Sequence, residues 1–210
     1  MKIIEPSATL VDEINPDEIL LKLETCGRVS HQSSGRPLHT RGAQERAESF
    51  VRMLIKRGHE SVLEHVSLAF HIICDRAIQN ELVRHRHASF TVESTRYVKY
   101  DELEVIAPRW QEQTFLYRKW YSHMCEVEDT YKDMIEHGAR PEDARSVLSN
   151  CVKSELYMAC NLREWRHILK LRTDKAAHPQ MRQVMNQVLA VFKEKLPVIV
   201  EDINYDRSAW

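Results

Sequence analysis

Glycine and proline are scarce in this chain, which has five of the first and seven of the second among 210 residues. No stretch is composed like a flexible linker, no low-complexity segment is present, and no segment repeats another. These absences exclude a repeat architecture and give no point at which to divide the chain. We therefore predict a single domain over residues 1–210, long enough to enclose a sizeable core.

Cysteine pairs and long apolar runs are also missing. The five cysteines are odd in number, widely spaced and without a C-x-x-C pair, so we predict reduced thiols rather than a disulfide framework. No apolar run approaches the length of a membrane span, and the first residues lack the apolar segment of a secretory signal peptide. The prediction is a cytoplasmic protein with no membrane partner.

The chain has no excess of either charge, because 30 lysines and arginines balance 31 aspartates and glutamates for a formal net charge of −1. A general nucleic-acid binder usually carries a net basic field. We therefore predict no nucleic-acid partner, and we interpret a local basic cluster as a site for a small anionic ligand.

One such basic cluster lies between Arg84 and Tyr97. Its sequence, RHRHASFTVESTRY, combines three arginines and two histidines with several hydroxyl groups. Guanidinium forks suit the oxygens of phosphate or carboxylate, and hydroxyls complete such an oxygen shell. The segment is therefore typical of a site for a phosphorylated ligand. Taken alone, it is equally compatible with a solvated basic face paired with Glu81 and Glu93, because surface ion pairs are common and weak.

Hydrophobic periodicity and capping residues predict mostly helix. The predicted helices cover about 15–27, 43–57, 75–84, 109–137, a segment opening at 141, 161–172 and 179–195. Strands are predicted within 2–12 and over 66–72, an extended segment over 97–106, and a loop at 33–37. Ser61 and Glu64 have the spacing of a capping box. The pattern predicts an α+β protein, with one helix-rich domain around a central antiparallel sheet from the first half of the chain.

Histidines are frequent near the basic cluster, but their spacing does not favour a metal centre. His59, His65 and His71 are six residues apart, which suits neither a helical i,i+4 pair nor a zinc-finger loop. His85 and His87 would face opposite sides of an extended chain. We therefore predict no metal ligand.

Three motifs occur in a fixed order along the chain. The first is RGHESVLEH at 57–65, and the second is R-H-R-x-x-S followed by S-x-R-Y at 84–97. The third is N-x-R followed by L-x-L-R at 161–172. Together they resemble the motifs of the flavin-dependent thymidylate synthases over roughly residues 28–182. The resemblance favours the ligand site over the solvated basic face.

The resemblance implies an FAD-dependent methyltransferase that converts dUMP to dTMP. Methylenetetrahydrofolate would supply the carbon, and NADPH would reduce the flavin. It also implies a homotetramer with active sites at subunit contacts. The residues that it implies for the cofactor are His59, Ser61, Arg84, His85, Arg86, Asn161, Arg163 and His167.

For the nucleotide, the resemblance implies two groups of residues. Ser94, Thr95 and Arg96 would receive the phosphate, from a neighbouring subunit, together with Arg145. The catalytic residue would be Arg172, which would pair with the uracil ring and favour its activated form. Without the resemblance, Arg172 is simply a favourable charge at a helix end. The full set predicted for the substrate is Glu81, Arg84, Glu93, Ser94, Thr95, Arg96, Arg145 and Arg172.

The chain departs from the family pattern at three places. Thr91 and Val92 replace a frequent Asn-Glu pair, Glu81 replaces a frequent glutamine, and Ser149 replaces a frequent proline. A carboxylate at 81 would repel a nucleotide phosphate unless Arg84 or a hydroxyl neutralised it. Two alternatives therefore stay open: methyl or hydroxymethyl transfer to another pyrimidine nucleotide, and a nucleotide-binding module without chemistry.

Overall fold

The computed structural model describes residues 1–31 and 42–204, so the loop predicted at 33–37 lies outside the described residues. Eight helices lie within these ranges: α1 Pro16–Arg28, α2 Ala43–Lys56, α3 Arg76–Leu82, α4 Phe115–Glu136, α5 Pro141–Ala144, α6 Leu162–Arg172, α7 Pro179–Lys195 and α8 Pro197–Val200. Short 3-10 turns cover Val29–His31, Glu60–His65 and Arg145–Val147.

In the described part of the chain, six strands form two sheets: β1 Lys2–Ile3, β2 Ser7–Leu10, β3 Ser67–Asp75, β4 Ala88–Val92, β5 Glu104–Val105 and β6 Lys153–Asn161. The larger sheet has the order β2-β3-β6-β4, and every neighbouring pair in it is antiparallel. The smaller sheet pairs β1 with β5 in parallel. A mixed helix and sheet protein with an antiparallel sheet is therefore confirmed.

Side-chain caps begin three of the helices where the sequence predicts them. Asn15 Oδ1 accepts from the backbone N–H of Asp17 at 3.1 Å at the start of α1. Asp75 and Asn161 cap α3 and α6 in the same way, at 2.7 Å and 2.9 Å. Each cap satisfies a backbone donor that the first helical turn leaves unpaired.

The predicted position of the sheet is wrong. Its central strand β6 comes from the second half of the chain and pairs with β3 along nine residues. Ser154, Leu156, Met158 and Cys160 are buried and alternate with more exposed residues, which is the period of a half-buried strand. The strand was not predicted for two reasons. Serine and cysteine on the buried face weaken the alternation of apolar and polar residues that indicates a strand. The helix start at 141 also favours a helix that continues into this segment.

Three local predictions are also corrected. The helix predicted from 109 begins at Phe115, because Thr114 caps it there. The capping box at Ser61 is absent: the 3-10 turn begins at Glu60, and His59 before it makes no side-chain cap bond. Of the segment 97–106, only Glu104–Val105 is a strand. Strand β4 lies within the basic cluster, where the sequence predicts no strand.

The main core lies between the larger sheet and helices α6 and α7. Phe70 on β3 meets the Trp165 ring edge-on at 5.0 Å and stacks on Phe192 at 5.9 Å. Trp165 also donates its Nε1–H to the Leu68 carbonyl at 3.0 Å, which satisfies its polar atom inside the core. These contacts fix α6 on the sheet and so determine where its polar residues point. Among the described residues, no helix is long and apolar enough to cross a membrane.

Candidate functional site

Arg172, at the end of α6, contacts two of the other predicted site residues. Its Nη1 donates to Glu81 Oε2 on α3 at 2.8 Å, and its Nε donates to His85 Nε2 at 3.1 Å. A longer contact of 3.5 Å runs from Nη2 to the Glu81 carbonyl. The carboxylate at 81 is therefore neutralised by Arg172, and not by Arg84 or a hydroxyl, the two partners that the sequence suggested. We call Glu81, His85 and Arg172 the guanidinium cluster.

His85 is a neutral, buried hydrogen-bond acceptor. Its side chain is 6% exposed, and burial lowers its pKa from 6.5 to about 4, with the positive charge of Arg172 as the next cause. Because Nε2 accepts from Arg172, the ring proton must be on Nδ1. The Nδ1 atom faces Glu164 Oε1 at 3.7 Å, and this carboxylate favours the same tautomer.

Glu164 and His167 on α6 complete the surroundings of His85. The His85 and His167 rings lie 6.2 Å apart in an edge-on arrangement, and ligand atoms of all three residues fall within 4.8 Å of one another. Such a group can hold a metal in principle. Here the bond from Arg172 keeps the His85 proton on Nδ1, so neither His85 nitrogen has a free lone pair for an ion. The absence of a metal ligand stays a prediction.

A cleft of about 610 Å³ opens beside this group. It is bordered by three of the residues predicted for the cofactor, Asn161, Arg163 and His167. The rest of its lining was not predicted from the sequence, although the glutamates of the 57–65 motif are a visible signal for part of it. Those residues are Glu60, Glu64, His87, Glu164, Arg166 and Lys170.

Of the other residues predicted for the cofactor, all but the buried His85 are exposed. His59 and Ser61 belong to the 3-10 segment whose Glu60 and Glu64 line the cleft. Arg84 and Arg86 flank the buried His85, and within the described part of the chain neither has an ion-pair partner. Arg163 pairs with Glu64, so a ligand that binds Arg163 competes with that carboxylate.

The residues predicted for the phosphate form a second group, which we call the hydroxyl–arginine cluster: Ser94, Thr95, Arg96 and Arg145. The Ser94 hydroxyl accepts from the Arg96 backbone N–H at 3.3 Å, which shapes a tight turn after β4. Arg145 Nη1 reaches the buried Thr95 hydroxyl at 3.5 Å. Arg96, which is exposed, pairs with Glu142 at 3.1 Å.

Glu93 is held by residues other than those of the hydroxyl–arginine cluster. Its Oε1 accepts from the Tyr100 hydroxyl at 2.8 Å, and its Oε2 pairs with Lys153 at 2.9 Å. Burial and this carboxylate raise the Tyr100 pKa. The geometry gives Glu93 a structural task, and its predicted contact with substrate stays a prediction. Among described residues, no hydrogen bond or ion pair joins the hydroxyl–arginine cluster to the guanidinium cluster.

Comparison with known proteins decides the family. A family model described as thymidylate synthase complementing protein matches residues 9–198. The chain belongs to this family. The resemblance found in the three motifs is thereby confirmed.

Several curated relatives in the family are named flavin-dependent thymidylate synthase. The protein from Pyrococcus furiosus is 37% identical over 154 residues, which cover 68% of this chain and 61% of that protein. The Pyrococcus abyssi protein is 34% identical, with 74% of this chain and 68% of that protein covered. A probable member from Mycobacterium phage D29 is 31% identical over 95% of this chain and 91% of its own length.

A solved structure has the same fold. It is the UMP/dUMP methylase PolB from Streptomyces cacaoi bound with 5-Br dUMP, which is 24% identical. The match has a TM-score of 0.79 and covers 96% of each chain. The likeness shows that the two proteins share one fold over nearly all of this chain.

Proposed function

We propose that the protein methylates dUMP to dTMP, with methylenetetrahydrofolate as carbon donor and NADPH as reductant of a bound FAD. The observation that carries the proposal is the guanidinium cluster, in which Arg172 is fixed at the end of α6 by Glu81 and His85. A fixed arginine beside a polar cleft suits a ligand on which negative charge develops. The named activity of the family's curated members supports this substrate and cofactor.

The residues at the cleft fit a flavin nucleotide. A diphosphate needs cations and N–H donors, which Arg163 offers in the cleft and the exposed Arg84 and Arg86 offer on either side of His85. In the cleft, Asn161 also offers an amide and His167 an imidazole for the polar edge of a ring. When bound, the flavin supplies hydride transfer, and the chain contributes position and electrostatics. His85, buried and neutral, adds no charge at this point.

The hydroxyl–arginine cluster would hold the nucleotide phosphate. Arg96 and Arg145 offer forks for two phosphate oxygens, and Ser94 and Thr95 offer hydroxyls. Arg96 now pairs with Glu142, and both side chains are partly exposed, at 56% and 34%. Such a surface pair is weak, so a dianionic phosphate can displace the carboxylate at small cost.

Arg172 would act on the uracil ring. Activation of C5 requires electron density to build on the ring, and a fixed guanidinium beside the carbonyl edge stabilises that charge. Arginine stays protonated at any working pH, so it acts through its charge and not as a base. Its side chain is 19% exposed, which strengthens this interaction relative to one in open water.

Assembly and location belong to the same proposal. We propose a homotetramer, because a phosphate group held by the hydroxyl–arginine cluster of one copy could face the guanidinium cluster of another. The absence of a direct contact between the two clusters in the described part of the chain agrees with this arrangement. The five cysteines are all free thiols, which favours a cytoplasmic location.

The test is product formation by the purified protein. Protein that retains flavin absorbance, given dUMP, methylenetetrahydrofolate and NADPH, should release dTMP, identified by mass. Omission of any one co-substrate should abolish the product. Release of a hydroxymethylated nucleotide, or turnover of UMP or dCMP in place of dUMP, contradicts the proposed substrate and reaction. Flavin oxidation without any nucleotide product contradicts methyl transfer as a whole.

A further inference from the structure

Glu81 faces the residue that the proposed function makes catalytic, and it does so as a carboxylate. We propose that Glu81 is a positioning residue, which with His85 fixes the Arg172 guanidinium for the methyl-transfer step. The inference rests on the proposed function and deepens it, because it gives a task to the one site residue whose charge the sequence left unexplained. Glu81 then acts through Arg172, and not by touching the nucleotide.

The contacts hold the guanidinium at three of its N–H groups. One goes to the Glu81 carboxylate, one to His85 and a longer one to the Glu81 carbonyl. Of the five guanidinium N–H groups, one on each terminal nitrogen then remains for a ligand. These partners of Arg172 come from α3 and from the turn just after it, so the position of the guanidinium depends on tertiary structure and not on α6 alone.

Position matters here because a donor stabilises developing charge only where it is already aimed. An unrestrained arginine loses rotamer entropy when it is fixed, and misplacement by about 1 Å can cost roughly 10²-fold in rate. A half-exposed carboxylate alone would be a weak restraint. The buried His85 strengthens the restraint on Arg172, because its neutral ring accepts a second hydrogen bond from the guanidinium at a place that water does not reach easily.

A competing explanation is that Glu81 occupies Arg172 until the nucleotide displaces it. Glu81 is 39% exposed, so its carboxylate could turn to solvent when a ligand arrives. The two explanations predict opposite kinetics. If Glu81 positions Arg172, its removal lowers kcat. If Glu81 competes with the nucleotide, its removal lowers KM for the nucleotide and leaves kcat unchanged.

The experiment is a double-mutant cycle on the holoenzyme with Glu81→Ala, Arg172→Ala and both together. We expect Glu81→Ala to slow single-turnover methyl transfer by about tenfold or more and to leave flavin reduction by NADPH unchanged. In the Arg172→Ala background the same change should have no further effect. Glu81→Gln keeps an acceptor at the same place and should recover much of the rate. Equal losses in both backgrounds, or a lower KM with an unchanged kcat, overturn the proposal.

A control and a second readout separate the possible failures. Glu48→Ala removes a carboxylate of matched exposure, 40%, from its surface pair with Arg52 and should leave every rate unchanged. In ¹⁵N-edited spectra, the Arg172 Nη1–H that donates to Glu81 should exchange slowly in the wild type and rapidly in Glu81→Ala. This readout does not require activity, so a wild type that makes no dTMP refutes the proposed function alone. A rapidly exchanging Nη1–H in the wild type overturns the positioning role.

Discussion

At the scale of single residues, His85 carries the most unusual environment in the site. This histidine stays neutral between two α6 residues of opposite charge, the cationic Arg172 and the acidic Glu164. Burial outweighs the nearby carboxylate, so the pKa falls to about 4. Protonation of His85 would break the bond from Arg172, because the imidazolium has no lone pair on either nitrogen.

This environment predicts a pH dependence of stability. The folded pKa of His85 lies below its ordinary value of 6.5, so between pH 6.5 and about 4 the unfolded chain binds more protons and acidification favours unfolding. The contribution is fully present above pH 6.5. Over that window the wild type should lose on the order of 2 kcal/mol more stability than His85→Gln. Urea unfolding of both proteins at matched concentrations measures the difference, and equal losses would contradict a neutral buried His85.

The sequence allowed some of these residues to be named but not their contacts. Arg172, His85 and Glu81 were all predicted for the site, yet their pairing depends on how α3 packs beside α6, across 87 to 91 residues of chain. Glu164 was missed because an acid in the first turn of a helix is explained by the helix dipole alone. Only the tertiary structure shows that it faces a histidine.

At the scale of elements, α6 supports the cleft and the guanidinium cluster. Asn161 caps its start, Arg163 and His167 face the cleft, and Arg172 ends it. In its middle, Arg166 is 1% exposed and binds Glu60, Asp202 and the Ile199 carbonyl. That buried arginine ties α6 to the 3-10 segment on one side and to the segment after α8 on the other. The bonds from Arg166 hold the Asp202 pKa well below its usual range.

Arg166→Met should therefore be strongly destabilising. The substitution removes every side-chain bond of Arg166 and leaves Glu60 without its cation, whereas Asp202 keeps its pair with Lys170; both carboxylates are partly exposed and can be rehydrated. We expect a loss of about 2–3 kcal/mol in the free energy of unfolding, below the 3–5 kcal/mol typical of a fully buried pair. Arg52→Met, at a surface pair, should cost less than about 0.5 kcal/mol. Thermal and urea unfolding compare the two, and equal effects would contradict a structural role for Arg166.

The helices were easier to predict than the strands. The caps at Asn15, Asp75 and Asn161 are local signals, because a side chain bonds to a backbone group two or three residues away. Strand β6 depends on β3 and β4, which are distant in sequence, and its own residues carry little β signal. Strand β4 was hidden by the charged residues around it.

At the scale of the whole molecule, the site residues fall into two groups that do not touch within the described part of the chain. The guanidinium cluster lies between α3 and α6, and the hydroxyl–arginine cluster lies between β4 and the turn after α5. The family motifs predicted both groups. Hydrophobic periodicity and capping residues report only on local structure, so they do not predict a contact between these two groups across two copies of the chain.

Subunit mixing tests this arrangement. Arg96→Ala and Arg172→Ala chains should each be inactive as homo-oligomers. After exchange, a mixed assembly can build some sites from one intact hydroxyl–arginine cluster and one intact guanidinium cluster, so part of the activity should return. The measurement is dTMP formation before and after exchange, with exchange verified by mass spectrometry. No recovery after verified exchange indicates that each site is built within one chain.

The central claim is that Arg172 stabilises the charge that develops on the nucleotide ring, whereas the bound flavin supplies the hydride. Stopped-flow flavin reduction and single-turnover dTMP formation, measured on the same preparation of Arg172→Ala, test it most directly. Methyl transfer should fall by roughly 10²-fold or more, the size seen when one such donor is removed, and flavin reduction by NADPH should be nearly unchanged. Arg172→Lys should recover only part of the rate, because a point charge lacks the planar fork. Methyl transfer at the wild-type rate by Arg172→Ala, with dUMP saturating, would contradict the account.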